Sequence, residues 1–207
     1  MPSDSPQMEL EKQRAKMVEE QLRRRGIADS RVLAAMEAIP REVFVPESER
    51  RNAYYDGAVP LAHGQTISQP LMVAMSVEAL ELRGDETVLE VGAGSGYQAA
   101  VLSKLAKKVY AIEIIPELVA GARRAIESLG IDNVELICAD GRRGWPEGAP
   151  YDAIVVAAAA DEVPQALIEQ LTEGGRLVIP VGGTRGQALQ ASRKRDGKLE
   201  TDELCRC

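Results

Sequence analysis

The sequence predicts an α/β fold: a doubly wound, mostly parallel sheet with an N-terminal helical extension and an antiparallel C-terminal hairpin. Three observations lead there. From Gln69 onward, short strand patterns alternate with helical ones. The strands read as unbroken apolar runs, Ala153 to Ala157 most clearly, as expected of a sheet covered on both faces. The first of them runs straight into Gly92-Ala93-Gly94-Ser95-Gly96 ahead of a helix. A chain of 207 residues suits a single domain. Within it we expect helices and a loop over 1–67, an α/β core over 68–182 and a hairpin over 183–207.

In chain order, Met8, Leu10, Met17, Val18 and Leu22 fall near helical spacing, with Arg23-Arg24-Arg25 in the last turn and Gly26 to end it. A second helix runs from Ser30, a candidate N-cap, to Ile39, and Pro40 stops it. Residues 40–67 are rich in Pro, Gly and polar side chains and form a long ordered connection of the sort that carries function. Leu71 to Leu82 is a helix, Arg83-Gly84-Asp85 a turn, and Thr87 to Val91 a strand. After the glycine-rich turn come a helix over Tyr97 to Lys107, a strand over Val109 to Ile114, a helix from Pro116 to Gly130 and a strand over Val134 to Cys138. The strand at Ala153, a helix over Pro164 to Leu171 and a strand over Arg176 to Val181 complete the core. Ala188 to Arg193 and Lys198 to Leu204 flank Asp196-Gly197, a hairpin signal.

Composition excludes several classes. With 25 basic against 32 acidic side chains the net charge is −7, which lacks the cationic excess of a non-specific nucleic-acid binder. Aromatic residues are 3%, too few for a base-stacking platform. No apolar run approaches the ~18 residues of a bilayer span, and the N-terminus lacks the basic start and apolar stretch of a signal peptide. Cys138, Cys205 and Cys207 are odd in number and without zinc spacing, which points to a reducing cytoplasm. His63 is the sole histidine, so no histidine-rich metal site is expected. No nucleic acid, no membrane and no metal are expected as partners, and a monomer is.

The glycine-rich turn is the chief chemical clue. Glycines there let a ligand approach the main chain, although a purely structural tight turn is the other reading. The third glycine of a dinucleotide fingerprint is replaced by Tyr97, and the Gly-Lys-Ser/Thr of a phosphate loop is absent. Glu113, ~20 residues on and at the end of the next strand, can accept from both hydroxyls of a ribose. Asp140, after the third strand, can accept from an adenine amino group. Such an arrangement suits an adenosine without pyrophosphate, and S-adenosylmethionine has that description.

The acceptor is read from what is missing. Where enzymes that methylate nucleobase amines carry Asn/Asp-Pro-Pro-Tyr/Phe, this chain has Val156-Ala157-Ala158-Ala159-Ala160, with room but no side-chain acceptor. An acceptor that is already anionic needs orientation more than a base. His63-Gly64-Gln65-Thr66-Ile67-Ser68-Gln69-Pro70 leads into the helix before the first strand, with Ser68 as its natural N-cap and able to help cradle a carboxylate. A Ser–His hydrolase built on His63 lacks an orienting acid, and a loop histidine bonded to the backbone is the simpler reading.

Several stretches together resemble one family over nearly the whole chain: Lys16-Met17-Val18 with Gln21-Leu22, Ala38 to Pro46, Gly64-Gln65-Thr66-Ile67-Ser68-Gln69-Pro70, and Glu90 to Ala99. Glu113 to Leu118, Asp140-Gly141, Gly144-Trp145-Pro146, Pro164 to Leu167 and Gly174 to Gly182 continue it. The chain resembles the protein-L-isoaspartate O-methyltransferases (protein-beta-aspartate methyltransferases). The resemblance implies a Rossmann-like S-adenosylmethionine-dependent enzyme, with S-adenosylhomocysteine as product. It implies methylation of the free α-carboxylate of L-isoaspartyl residues in damaged proteins and peptides, starting repair through a methyl ester and a succinimide. Ser68 matches the family's active-site serine, and Gln65, Thr66, Ile67 and Ser68 its loop beside cofactor and substrate. Gly92, Ala93, Gly94, Ser95 and Gly96 match its methionine-side turn, Glu113 its ribose acid, and Asp140 and Gly141 its adenine-side contact. Leu71 stands where members often carry an aromatic residue or histidine. The family usually continues past the position of Cys207; for a chain that ends there, an exposed sheet edge and an incomplete substrate cover are expected. Another S-adenosylmethionine-dependent methyltransferase and a non-catalytic nucleotide-binding module are the alternatives.

Overall fold

The structure is a computed structural model that describes residues 5–183 and 186–206; Cys207 lies outside them. The N-terminal extension begins with α1 (Pro6–Lys16), whose chain continues through a π-helical turn at Met17–Leu22 and a 3₁₀ turn at Arg23–Arg25. Gly26, at φ 101°, then ends it in the left-handed region, as its place after the arginines predicts. The π turn puts Met17, Val18 and Leu22 inside the protein, while α1 buries nothing. Next comes α2 (Ser30–Ala38), which buries Val32, Leu33, Ala35 and Met36. Its cap is Asp29, not Ser30: the Asp29 carboxylate accepts the Arg31 N–H at 2.8 Å. The Glu78 carboxylate accepts the N–H groups of Ala28 and Asp29, each at 2.7 Å, and so fastens this entry to the following helix.

The long connection is ordered by 3₁₀ turns at Arg41–Val43 and Glu47–Asn52. A two-residue antiparallel pair closes it, β1 (Val59–Pro60) against β2 (Thr66–Ile67). Helix α3 (Pro70–Ala79) follows, with Pro70 in its first turn. It ends short of the predicted Leu82 because Glu81 turns to φ 50° and the Glu86 carboxylate takes the N–H groups of Arg83 and Gly84.

The core elements are β3 (Thr87–Val91), α4 (Tyr97–Leu102), β4 (Lys108–Glu113), α5 (Pro116–Ser128), β5 (Val134–Cys138), β6 (Tyr151–Val156), α6 (Gln165–Gln170) and β7 (Leu171–Gly183). Helix α4 stops five residues before the predicted Lys107. There the Ser103 hydroxyl donates back to the Ala100 carbonyl, and the Asn133 amide donates to the carbonyls of Ser103 and Ala106. The hairpin is β8 (Gly186–Arg195) and β9 (Lys198–Arg206), joined at Asp196-Gly197 with both residues at positive φ.

The seven-stranded sheet has the order β5-β4-β3-β6-β7-β8-β9. Pairings from β5 to β7 are parallel, and β7–β8 and β8–β9 are antiparallel. The chain enters at β3, winds outward to β5, then returns to the other side of β3 as β6. The C-terminal ends of β3 and β6 therefore form the switch point at which open α/β sheets receive ligands. One apolar cluster under the sheet joins Met17, Leu22, Leu33, Met36 and Phe44 of the extension to Val88, Tyr97, Val101 and Val109 of the core. A second cluster, with Leu89, Ile112, Ile154 and Leu177, fills the opposite face. Among the described residues no helix is long and apolar enough to cross a membrane.

Candidate active site

Register brings the site together. Val91 pairs with Ile112 and Val156, and Glu113 with Cys138, so Gly92, Glu113 and Ala157 stand side by side at one edge, with Ala139 one residue beyond them. The chain leaves β3 under control: the N–H groups of Gly92 and Ala93 both donate to the Ile112 carbonyl, at 2.8 and 2.9 Å. A cavity of about 280 Å³ opens here. Gln65 to Ser68, Gly92 to Ser95, Glu113, Asp140 and Gly141 line it, along with Glu90, Tyr97, Gln98 and Arg142, whereas Gly96, His63 and Leu71 do not.

Two glycines of the turn serve different ends. Gly94, at φ 54°, would point a Cβ into space with only the Gly92 carbonyl oxygen near, at 3.9 Å, so its backbone conformation and not packing is what favours glycine there. Gly96, at φ 84°, would set a Cβ 2.9 Å from that of Ala122, so it serves the packing of α4 on α5 and not the cavity wall.

Glu113 is 8% exposed and already oriented: Oε2 accepts the Gly94 N–H and Oε1 the Ile115 N–H, each at 2.9 Å. Those bonds leave lone pairs free for hydroxyl donors from the cavity. Asp140 also reaches the wall, but Arg142 holds it. The Arg142 backbone N–H, Nε and Nη2 all donate to this carboxylate, at 2.7–3.1 Å, and keep its pKa below the usual range. A ligand donor at Asp140 shares an acceptor that is already engaged. Gly141 lies flush on β3, where a Cβ would come 2.3 Å from Val91 Cγ1.

Sequence reasoning gave no role to Glu90. Its side chain is 1% exposed, it lines the cavity, and among the described residues neither carboxylate oxygen finds a hydrogen-bond partner. The nearby Gln98 Nε2 is also without one. Burial pushes the Glu90 carboxyl up to about 8; the Gln98 amide opposes the rise and the charge of Glu113 adds to it. Its signal was present: a lone acid inside the apolar strand Leu89-Glu90-Val91, two residues before the glycine turn.

Ser68 does not cap α3. Gln69 occupies the cap position and makes no side-chain cap bond, because tertiary contacts decide the Ser68 backbone: its carbonyl accepts Arg41 Nη2 at 2.8 Å. Ser68 itself is half-buried. With Thr66, Val73, Gln98 and Ala157 it lines both the first cavity and a neighbouring one of about 520 Å³, which reaches Asp56, Ser76, Gln187 and Arg206. His63 is exposed at φ 59° with no hydrogen bond or acid partner among the described residues, so neither the hydrolase nor the backbone-bonded reading holds. No group of three His, Cys, Asp or Glu among the described residues could hold a metal.

A family model described as "Protein-L-isoaspartate(D-aspartate) O-methyltransferase (PCMT)" matches residues 12–207. The chain belongs to this family. A protein-L-isoaspartate O-methyltransferase of Methanoculleus marisnigri is 52% identical over 93% of this chain and 88% of its own length. Protein-L-isoaspartate O-methyltransferase 2 of Marinobacter nauticus is 56% identical over 90% and 86%. Among solved structures, one of a protein-L-isoaspartate O-methyltransferase superposes with a TM-score of 0.85 at 34% identity; it covers 94% of this chain, which spans 64% of that one. A Plasmodium falciparum structure assigned to the same enzyme, solved in complex with S-adenosyl-L-homocysteine, gives a TM-score of 0.80 at 30% identity over 94% and 95%. These two superpositions show that the chain shares the fold of the protein-L-isoaspartate O-methyltransferases.

Proposed function

We propose that the first cavity holds S-adenosylmethionine and the second presents an isoaspartyl α-carboxylate to it, the two meeting at Ser68. The chain is an S-adenosylmethionine-dependent methyltransferase of isoaspartyl residues in proteins and peptides. The observation that carries the site reading is the pair of acids on one wall. Glu113 is pre-set by two N–H groups with acceptor capacity to spare for a sugar, and Glu90 is buried and unpartnered, which suits a cationic group of the ligand. Gly94 leaves the approach between them clear.

S-adenosylmethionine supplies a methyl group on a positively charged sulfur. Alignment of the acceptor is then the chain's main task, since a carboxylate is already a nucleophile and orientation carries much of such a reaction's acceleration. The methyl side chains of Ala157 and Ala158 leave room beside the cavity for an extended peptide, and no side chain there is a base. The Ser68 hydroxyl orients the incoming carboxylate by a hydrogen bond and is not a nucleophile. Thr66 and Gln65 wall the same loop, and Asp140 with Gly141 bounds the adenine end. A net charge of −7 supports a protein or peptide acceptor over nucleic acid, a complement of three cysteines without zinc spacing supports a cytoplasmic setting, and we read the working unit as a monomer.

The test is methyl-labelled S-adenosylmethionine with an isoaspartyl peptide and its normal aspartyl twin. Label is expected in the isoaspartyl peptide alone, released as methanol by mild base, as an ester requires. Equal labelling of both peptides, or of neither, overturns the reading.

A further inference from the structure

Arg41 is completely buried and has no carboxylate in ion-pair range among the described residues. Glu42, next in the chain, bonds the Tyr54 hydroxyl instead. The Arg41 guanidinium is satisfied by main chain and a ring. Nε donates to the Ala53 carbonyl at 2.7 Å, Nη2 to the Ser68 carbonyl at 2.8 Å, and Cζ lies 4.9 Å from the centre of the Tyr97 ring. Nη1 finds no partner, and burial holds the pKa of the group below the usual arginine value.

Stability alone is a poor account of this. Removing a guanidinium from water without a counter-ion is expensive, and an apolar side chain of like volume escapes that cost. What an apolar side chain lacks is the reach to three separate segments. Ala53 follows the turn at Glu47–Asn52, Ser68 belongs to the acceptor loop, and Tyr97 opens α4 just after the glycine turn. Tyr97 lines the donor cavity, and Ser68 lines both cavities. Phe44 packs edge-on against the same Tyr97 ring, centroids 5.7 Å apart, and steadies the platform beneath the guanidinium.

We propose that Arg41 is a positioning residue for methyl transfer, a cationic strut that fixes the Ser68 loop relative to the glycine turn and so sets the distance between acceptor and donor. It touches neither substrate and acts through the Ser68 peptide unit. The proposal rests on the reading of Ser68 given above. A displacement of about 1 Å between reacting groups can cost on the order of 100-fold in rate, so the strut's effect falls on turnover.

The experiment compares wild type with Arg41→Lys, which keeps the charge but cannot fork to both carbonyls, and Arg41→Met, which keeps only length. Rates are expressed per S-adenosylhomocysteine-binding site, counted by calorimetry, so that loss of folded protein does not pass as loss of rate. Arg41→Met is expected to lose at least tenfold in kcat on the isoaspartyl peptide, with Arg41→Lys intermediate, while the Kd of S-adenosylhomocysteine stays within threefold. Variants with lowered Tm but wild-type kcat per site overturn the proposal and leave Arg41 a packing residue. Wild-type protein inactive on the peptide overturns the functional reading itself, and the strut with it. If neither variant folds, nitrogen-15 spectra of the wild type decide. The slowest-exchanging arginine Nε–H should shift when the peptide joins the S-adenosylhomocysteine complex, and an unmoved signal rejects the strut.

Discussion

The Glu113 carboxylate accepts the backbone N–H of Gly94 at 2.9 Å, so the acid ending β4 braces the glycine turn that ends β3. Its second oxygen, on the Ile115 N–H, ties it to the entry of α5. One side chain therefore shapes the turn and keeps unused acceptor lone pairs at the cavity wall. Glu113→Gln puts an NH₂ group against one of those N–H donors and removes the charge. Hydrogen bonds to a charged group contribute about 1.5–3 kcal/mol each, so S-adenosylhomocysteine should bind about 100-fold more weakly by titration calorimetry. Binding within threefold of wild type would remove Glu113 from the ligand's contacts.

Glu90 gives the site a pH dependence whose sign follows from its raised pKa. From its ordinary 4.5 up to about 8, the folded protein keeps a proton that the unfolded chain has shed. Stability from this group is complete at low pH and is lost as pH rises through 8. Urea midpoints at pH 5 and pH 8.5 should therefore fall further for wild type than for Glu90→Gln. A ligand cation beside Glu90 favours the ionised form, so binding of S-adenosylmethionine at pH 7 should release a proton. The apparent binding enthalpy would then vary with the buffer's ionisation heat, and in Glu90→Gln it would not.

Ser68→Ala separates acceptor alignment from donor binding. Ser68 lines both cavities, but the first cavity has many other walls. A loss of at least tenfold in kcat/KM for the isoaspartyl peptide is expected, with the Kd of S-adenosylhomocysteine changed less than threefold. Unchanged kcat/KM would leave Ser68 without the orienting role.

Gly96→Ala tests the packing role given to that glycine. At φ 84° an alanine is strained by about 1–2 kcal/mol, and its Cβ would sit 2.9 Å from that of Ala122. With overpacking of about 1–3 kcal/mol added, the urea unfolding free energy should drop by roughly 2–5 kcal/mol. A drop below about 0.5 kcal/mol would show that α4 yields without cost.

Local patterns carried much of this architecture. The strands Thr87–Val91 and Val134–Cys138 fall where the sequence places them, because short, mostly apolar runs between turn residues leave little choice of boundary. The hairpin at Asp196-Gly197 and the strand-end position of Glu113 were legible for the same reason. What escaped depends on residues far apart in the chain. Ser68 reads as a cap until Arg41, from 27 residues earlier, claims its carbonyl. Arg41 itself looks like an ordinary charge after a proline, since nothing near it in sequence announces Ala53 or Tyr97. The early end of α4 comes from Asn133, two elements downstream.

The apolar cluster shared by the N-terminal third and the underside of the sheet has a practical consequence. A fragment trimmed to begin at α3 would keep every strand of the large sheet yet uncover the faces of α3 and α4 on which α2 and the Met17–Leu22 turn pack. Such a minimal piece should aggregate before its binding could be measured, so dissection of this protein is better done by point changes than by truncation.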